Sequence, residues 1–152
     1  MTDMRVSRPL AERFWEKVTR RSPDECWPWL AAANPKTGYG QIGPGGRAPM
    51  RLAHRVSYEL AFGTIGDGMT IDHLCHNRTA LCPGGPRCPH RRCVNPAHLE
   101  ACLTGTNTAR AWDRRTHCVN GHPYSEYTYW HPSGHRRCRL CNTLQARERR
   151  RK

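Results

Sequence analysis

Ile71-Asp72-His73-Leu74, followed after an interval by Cys93-Val94-Asn95-Pro96-Ala97-His98-Leu99-Glu100, decides the reading of this chain. Residues 69–74 are entered through the turn residues Gly66-Asp67-Gly68 and have the length and composition of a strand, so Asp72 and His73 fall at its end. Asn95 directly precedes Pro96, the pattern of an N-cap followed by proline at the first helical position, which puts His98 in the first turn of a short helix. Taken singly, Asn95 reads as a plain cap and Asp72 as a turn or solvent residue. Only their conjunction with the two histidines points to chemistry. Neighbours in a regular strand face opposite ways, so Asp72 and His73 can serve one site only if the strand end twists.

Working outward, residues 8–20 carry Leu10, Phe14 and Val18 at four-residue spacing among charges, the pattern of an amphipathic helix. Short apolar runs at residues 26–30, 39–42 and 50–53, separated by Gly and Pro clusters, predict a small antiparallel sheet. Residues 54–62, with Val56 and Leu60 on one face, predict a second helix, and residues 104–115 another helical stretch. Residues 75–93 read as a long loop that needs tying down.

The chain has 152 residues and a net charge of +13. Its 10 Leu, 3 Ile, 5 Val and 2 Phe are too few for a conventional core, and such a composition with such a charge belongs to disordered chains unless something else holds the fold. Nine Cys and nine His supply that element as zinc ligands. No apolar run approaches the length of a membrane span. Residues 1–21 lack the apolar core of a secretory signal, so the expected location is cytoplasmic, where thiols stay reduced and favour zinc over disulfides.

Asp-His at a strand end, then Asn and His three apart at a helix start, resembles the ββα-metal motif of the HNH endonucleases, particularly the phage-encoded and homing type. The resemblance extends upstream through Cys26-Trp27-Pro28-Trp29, Gly38-Tyr39-Gly40 and His54-Arg55-Val56-Ser57-Tyr58-Glu59, covering roughly residues 14–100. It implies metal-dependent hydrolysis of DNA phosphodiesters to 3′-hydroxyl and 5′-phosphate ends, with Asn95 bracing the loop behind His73. If the chain is phage-encoded, its location is the host cytoplasm, and genome packaging and intron homing are both compatible roles.

Phosphodiester hydrolysis needs a base to deprotonate water and a cation to stabilise the charged transition state. His73, with an imidazole that is largely neutral near pH 7, is the expected base. Asp72 and His98 are expected to share a catalytic divalent ion, Mg²⁺ or Mn²⁺, although a His ligand also admits Zn²⁺ or Ni²⁺. At a helix start the dipole disfavours imidazolium and keeps His98 available as a ligand.

Cys75, Cys82, Cys88 and Cys93 bracket the long loop and are expected to hold one structural zinc, with His76 and His90 as alternative ligands for one of the thiols. Shorter relatives have little between the first and last of these cysteines. Cys118, His122, Cys138 and Cys141 form Cys-x3-His and Cys-x2-Cys pairs around a 15-residue interval with a Pro132-Ser133-Gly134 turn, a zinc-ribbon pattern. Cys26 and Cys102 lack partners by spacing and are expected to be buried free thiols; His54 stays outside the catalytic set.

The expected fold is α+β: a zinc-stabilised ββα-metal nuclease domain over residues 1–112 and a zinc ribbon with a basic tail over residues 113–152. From Arg110 onward the chain has 11 basic and 3 acidic residues, a surface suited to DNA phosphates. One site per chain makes nicking the simplest activity of a monomer, and a double-strand cut requires a dimer or two events. A noncatalytic zinc-dependent DNA-binding regulator and an RNA-binding zinc protein are the alternatives.

Overall fold

The computed structural model describes residues 8–79, 82 and 84–151. They form two compact units, one up to Asn107 and one from Thr108 on. Small helices and two-stranded sheets make up both, an α+β organisation with several clusters of Cys and His.

In the first unit, α1 spans Leu10–Trp15 and is shorter than the periodicity predicts. Beyond Trp15 the bonds tighten to Lys17 N–H to Phe14 C=O and Val18 N–H to Trp15 C=O, and Val18 then pairs with Trp29 across an antiparallel bridge. Apolar spacing therefore continues while the backbone has left the helix. Strands β1 (Gln41–Ile42) and β2 (Arg51–Leu52) pair antiparallel and lead into α2 (Ala53–Phe62). Phe14, Trp29, Ile42, Ala53, Val56 and Val94 form the main core, with Phe14 stacked on Trp29 at 5.0 Å. It is a modest core, in keeping with the scarcity of large aliphatic residues.

Strand β3 (Met69–His73) pairs antiparallel with β4 (Leu99–Leu103), placing Asp72 opposite Glu100 and His73 opposite Leu99. Ile71 and Leu99 pack with Ile65 in a second apolar cluster. The short helix α3 (Leu74–Arg78) follows β3 directly, and α4 (Thr104–Asp113) follows β4, so α3 and two 3-10 turns lie between the paired strands in the chain. The predicted helix at Pro96 is a single 3-10 turn, Pro96–His98, capped by the Asn95 side chain, which accepts from Ala97 N–H.

In the second unit, α5 (Tyr124–Tyr127) precedes the antiparallel hairpin of β5 (Thr128–Trp130) and β6 (Arg136–Cys138), closed by a turn in which Gly134 N–H donates to His131 C=O. Helix α6 (Arg139–Arg150) carries Arg147, Arg149 and Arg150 in its last turn, where cations complement the helix dipole. Among the described residues no helix is long and apolar enough to cross a membrane.

Candidate active site and metal centres

His73 closes β3 and is 6% exposed. Its Nε2 lies 3.3 Å from the Cys93 carbonyl oxygen. A carbonyl can only accept, so Nε2 carries the proton and Nδ1 keeps its lone pair in the neutral ring. Burial holds the imidazole down at about 4, overcoming the opposing pull of the Cys93 carbonyl and the Asp72 carboxylate. The ring is therefore a neutral acceptor at physiological pH.

Two rings flank this base. Tyr39, from the loop before β1, stacks on His73 at 6.0 Å, and His54, on α2, meets it edge-on at 4.8 Å. His54 is 5% exposed and its Nδ1 has no hydrogen-bond partner. Its pKa is pushed well below the ordinary value by burial first and the neighbouring His73 second. A lone histidine at the start of a helix carries no spacing signal, so His54 is missed in the sequence. Its place in the stretch shared with the resembled family is the available clue.

Asp72 is buried, and its Oδ2 accepts from Asn77 Nδ2 at 2.6 Å. Asn77 stands on α3, so the turn from β3 into that helix orients the carboxylate. Asn95 is buried and spends its amide on structure: Nδ2 donates to the carbonyls of Pro23 and Glu25 at 2.8 and 2.7 Å, and Oδ1 caps the 3-10 turn. The bracing expected behind His73 is directed at the loop around Pro23–Glu25.

The four cysteines expected to share one ion are divided between two clusters. Cys75 and Cys93 lie with Cys26 and His98, whereas Cys82 and Cys88 lie with His76 and His90. Backbone pairing explains the first grouping. Trp29 N–H donates to Arg92 C=O and Val94 N–H to Trp27 C=O, and Pro28 bridges Cys93, so the Cys26 segment runs antiparallel beside the Cys93 segment. Cys26, expected to be a free thiol, is thereby brought to the cluster. His98 Nδ1 lies 3.7 Å from Cys26 Sγ and 3.6 Å from Cys93 Sγ.

His98 was expected to share a hard divalent ion with Asp72, and the structure gathers it with Cys26, Cys75 and Cys93. With its Nδ1 among three thiols, His98 is part of a soft donor set of the kind that suits zinc. Nor does a helix dipole act on its ring, because a three-residue turn is not a helix. The Cys93 thiol is pushed down, first by the hydrogen bond from Cys75, against burial, and further by Asn95 N–H and His98. Cys102, also expected to be a buried thiol, is buried on β4.

In the second unit Cys118, His122, Cys138 and Cys141 converge as the spacing predicts. Cys118 and Cys141 sulfurs are 3.6 Å apart, and His122 Nδ1 lies 3.2, 3.4 and 3.6 Å from the sulfurs of Cys141, Cys118 and Cys138. The three Cys/His clusters could each hold a metal ion of the zinc type.

No curated protein and no solved structure matches the chain. Residues 51–80, the segment that runs through α2 and β3 and delivers His54, Asp72, His73 and Cys75, match the family model described as HNH endonuclease, and the chain thereby carries the signature of a nuclease-family function.

Proposed function

We propose that this chain is a metal-dependent endonuclease that hydrolyses phosphodiester bonds of DNA. The carrying observation is the fixed tautomer of His73: with Nε2–H held by the Cys93 carbonyl, Nδ1 is the atom that takes a proton from the attacking water. Tyr39 and His54 hold the ring from its sides and keep bulk water from it. Asp72 is the protein ligand for a catalytic Mg²⁺ or Mn²⁺, since such an ion is commonly bound by one or two carboxylates together with substrate phosphate. When bound, that ion supplies charge stabilisation at the phosphate and the leaving oxygen. His98 and Asn95 act structurally, His98 as fourth ligand of a zinc held by Cys26, Cys75 and Cys93, and Asn95 as the brace of the Pro23–Glu25 loop. A second structural zinc occupies the ribbon, whose arginines, with those of α6, bind DNA backbone.

Supercoiled plasmid with Mg²⁺ or Mn²⁺ is the test substrate, with duplex RNA run in parallel. His73→Ala should cut at least about a hundredfold more slowly, the typical scale for a lost general base, while its affinity for DNA stays within about threefold. The base works unprotonated, so the wild-type rate should fall as pH drops through a pKa near 4 and stay flat through neutrality. Near-normal cleavage by His73→Ala, or cleavage confined to RNA, overturns the proposal.

A further inference from the structure

Helix α3 and the loop between it and β4 contain a group of donors that neither the base nor the Cys26 cluster uses. His76, Cys82, Cys88 and His90 offer four ligand atoms that all lie within 4.8 Å of one another. Cys82 and Cys88 sulfurs are 3.4 Å apart, and Cys88 Sγ lies 3.4 Å from His76 Nδ1 and 3.5 Å from His90 Nδ1. Zn–S bonds of about 2.3 Å and Zn–N bonds of about 2.0 Å in a tetrahedron give edges of roughly 3.3 to 3.8 Å. These separations are edges of that size.

Cys75 and His76 are consecutive on α3, and successive helical residues are rotated by about 100°. Cys75 therefore joins the Cys26 cluster while His76 joins the loop. At the far side, the 3-10 turn Pro89–Arg92 carries His90, which lies in the loop cluster, and leads into Cys93, which lies in the Cys26 cluster. Between them Gly84 and Gly85 both have positive φ, 75° and 76°, and the reversal ends with Cys88 N–H donating to Gly85 C=O.

The tautomer of His90 is set as a metal ligand requires. Thr79 Oγ1 donates to the Cys75 carbonyl at 2.9 Å, so its lone pair accepts from His90 Nε2 at 3.4 Å, and His90 Nδ1 is left with a lone pair facing Cys88. A disulfide between Cys82 and Cys88 would need sulfurs at about 2.05 Å and would give the two imidazoles no reason to converge.

We propose that His76, Cys82, Cys88 and His90 form a tetrahedral zinc site of their own, a second metal centre in the nuclease unit, which seats this loop against Gly38 and Tyr39. The seat is tight. A Cβ on Gly38 would stand 2.1 Å from the Pro86 carbonyl oxygen, and the Arg91 guanidinium lies over the Tyr39 ring at 4.8 Å while donating to the Thr37 carbonyl. Tyr39 in turn stacks on His73, so the ion fixes the wall of the active site from outside.

The site is tested on the full chain by counting metal, a readout independent of cleavage. Protein purified with zinc and without chelator should hold three zinc ions, and the Cys82→Ser/Cys88→Ser variant two, with amide resonances shifted at Thr37 to Tyr39. A wild-type count of two, unchanged in the variant, overturns the site, as does a count of seven rather than nine titratable thiols in the metal-stripped, unfolded chain. Cobalt substitution guards against a variant that fails to fold. His90→Cys keeps four ligands, so it should retain three metals and strengthen the thiolate-to-cobalt charge-transfer absorption. An unchanged spectrum means that His90 binds no ion.

Discussion

The Cys26 cluster and the ribbon cluster use the same kinds of donor, yet they sit differently in the chain. Cys26, Cys75, Cys93 and His98 come from three separate segments of the first unit, and three of the four are buried. Cys118, His122, Cys138 and Cys141 lie within one hairpin and its flanks, and only Cys138 is buried. Closing a loop costs more entropy the longer the loop, so an ion joining Cys26 to His98 constrains far more of the unfolded chain than one joining Cys118 to Cys141. Such an ion would also tie the segment around Cys26 to Cys75 on α3, just after β3. Loss of the first ion should therefore take its whole unit with it, and loss of the second should stay local.

Removing one ligand from each cluster puts that difference to the test. Cys93→Ser should leave the first unit without fixed tertiary structure, since structural zinc binding is worth on the order of 10 kcal/mol, comparable to the total stability of a domain. Cys138→Ser should collapse amide dispersion only for residues after Thr108. Two-dimensional amide spectra of both variants check this. Equal, chain-wide collapse in both would show that the two clusters stabilise one cooperative structure.

Truncation after Trp112 probes the other side of the contrast. It removes the ribbon and ten arginines and lysines but none of the residues assigned to chemistry. Every phosphate that the truncated chain no longer neutralises should take about 0.9 from the slope of log affinity against log salt. The truncated protein should still cut slowly at low salt and saturating enzyme. An unchanged slope would assign the tail to solvent, and a folded fragment that cannot cut would place part of the ribbon in the active site.

The same contrast in loop length explains what the sequence could reveal. Cys-x3-His and Cys-x2-Cys are local, because the backbone geometry of a knuckle fixes those spacings, and they single out the four residues that converge in the second unit. Strand β3 and helix α2 are legible from turn residues and periodicity for the same reason. Cys26 is not, because its partners depend on a backbone pairing with residues 92–94 that no spacing encodes. The four cysteines that bracket the loop mislead because nearness in sequence suggests one shared ion, whereas the 100° step between Cys75 and His76 sends neighbours to different ions. His54 is illegible on its own, since what marks it is an unpartnered Nδ1 beside His73, a fact of packing.

The gentlest perturbation concerns His98. In the Cys26 cluster, His98→Cys replaces an imidazole ligand by a thiolate and leaves a four-cysteine site, a set that zinc accepts readily. Zinc content and the amide spectrum should be retained, and cleavage should fall by no more than a few fold, since the shorter side chain asks for only a small shift of the Pro96–His98 turn. A His98 that instead shared the catalytic ion with Asp72 would behave in the opposite way: the thiolate would recruit Mg²⁺ poorly, and cleavage would fall about a hundredfold or require Mn²⁺. Measuring the Mg²⁺ and Mn²⁺ dependence of plasmid nicking for wild type and His98→Cys separates the two. Parallel titration curves with similar maxima keep His98 with the cysteines, and a curve displaced to high Mg²⁺ returns it to Asp72.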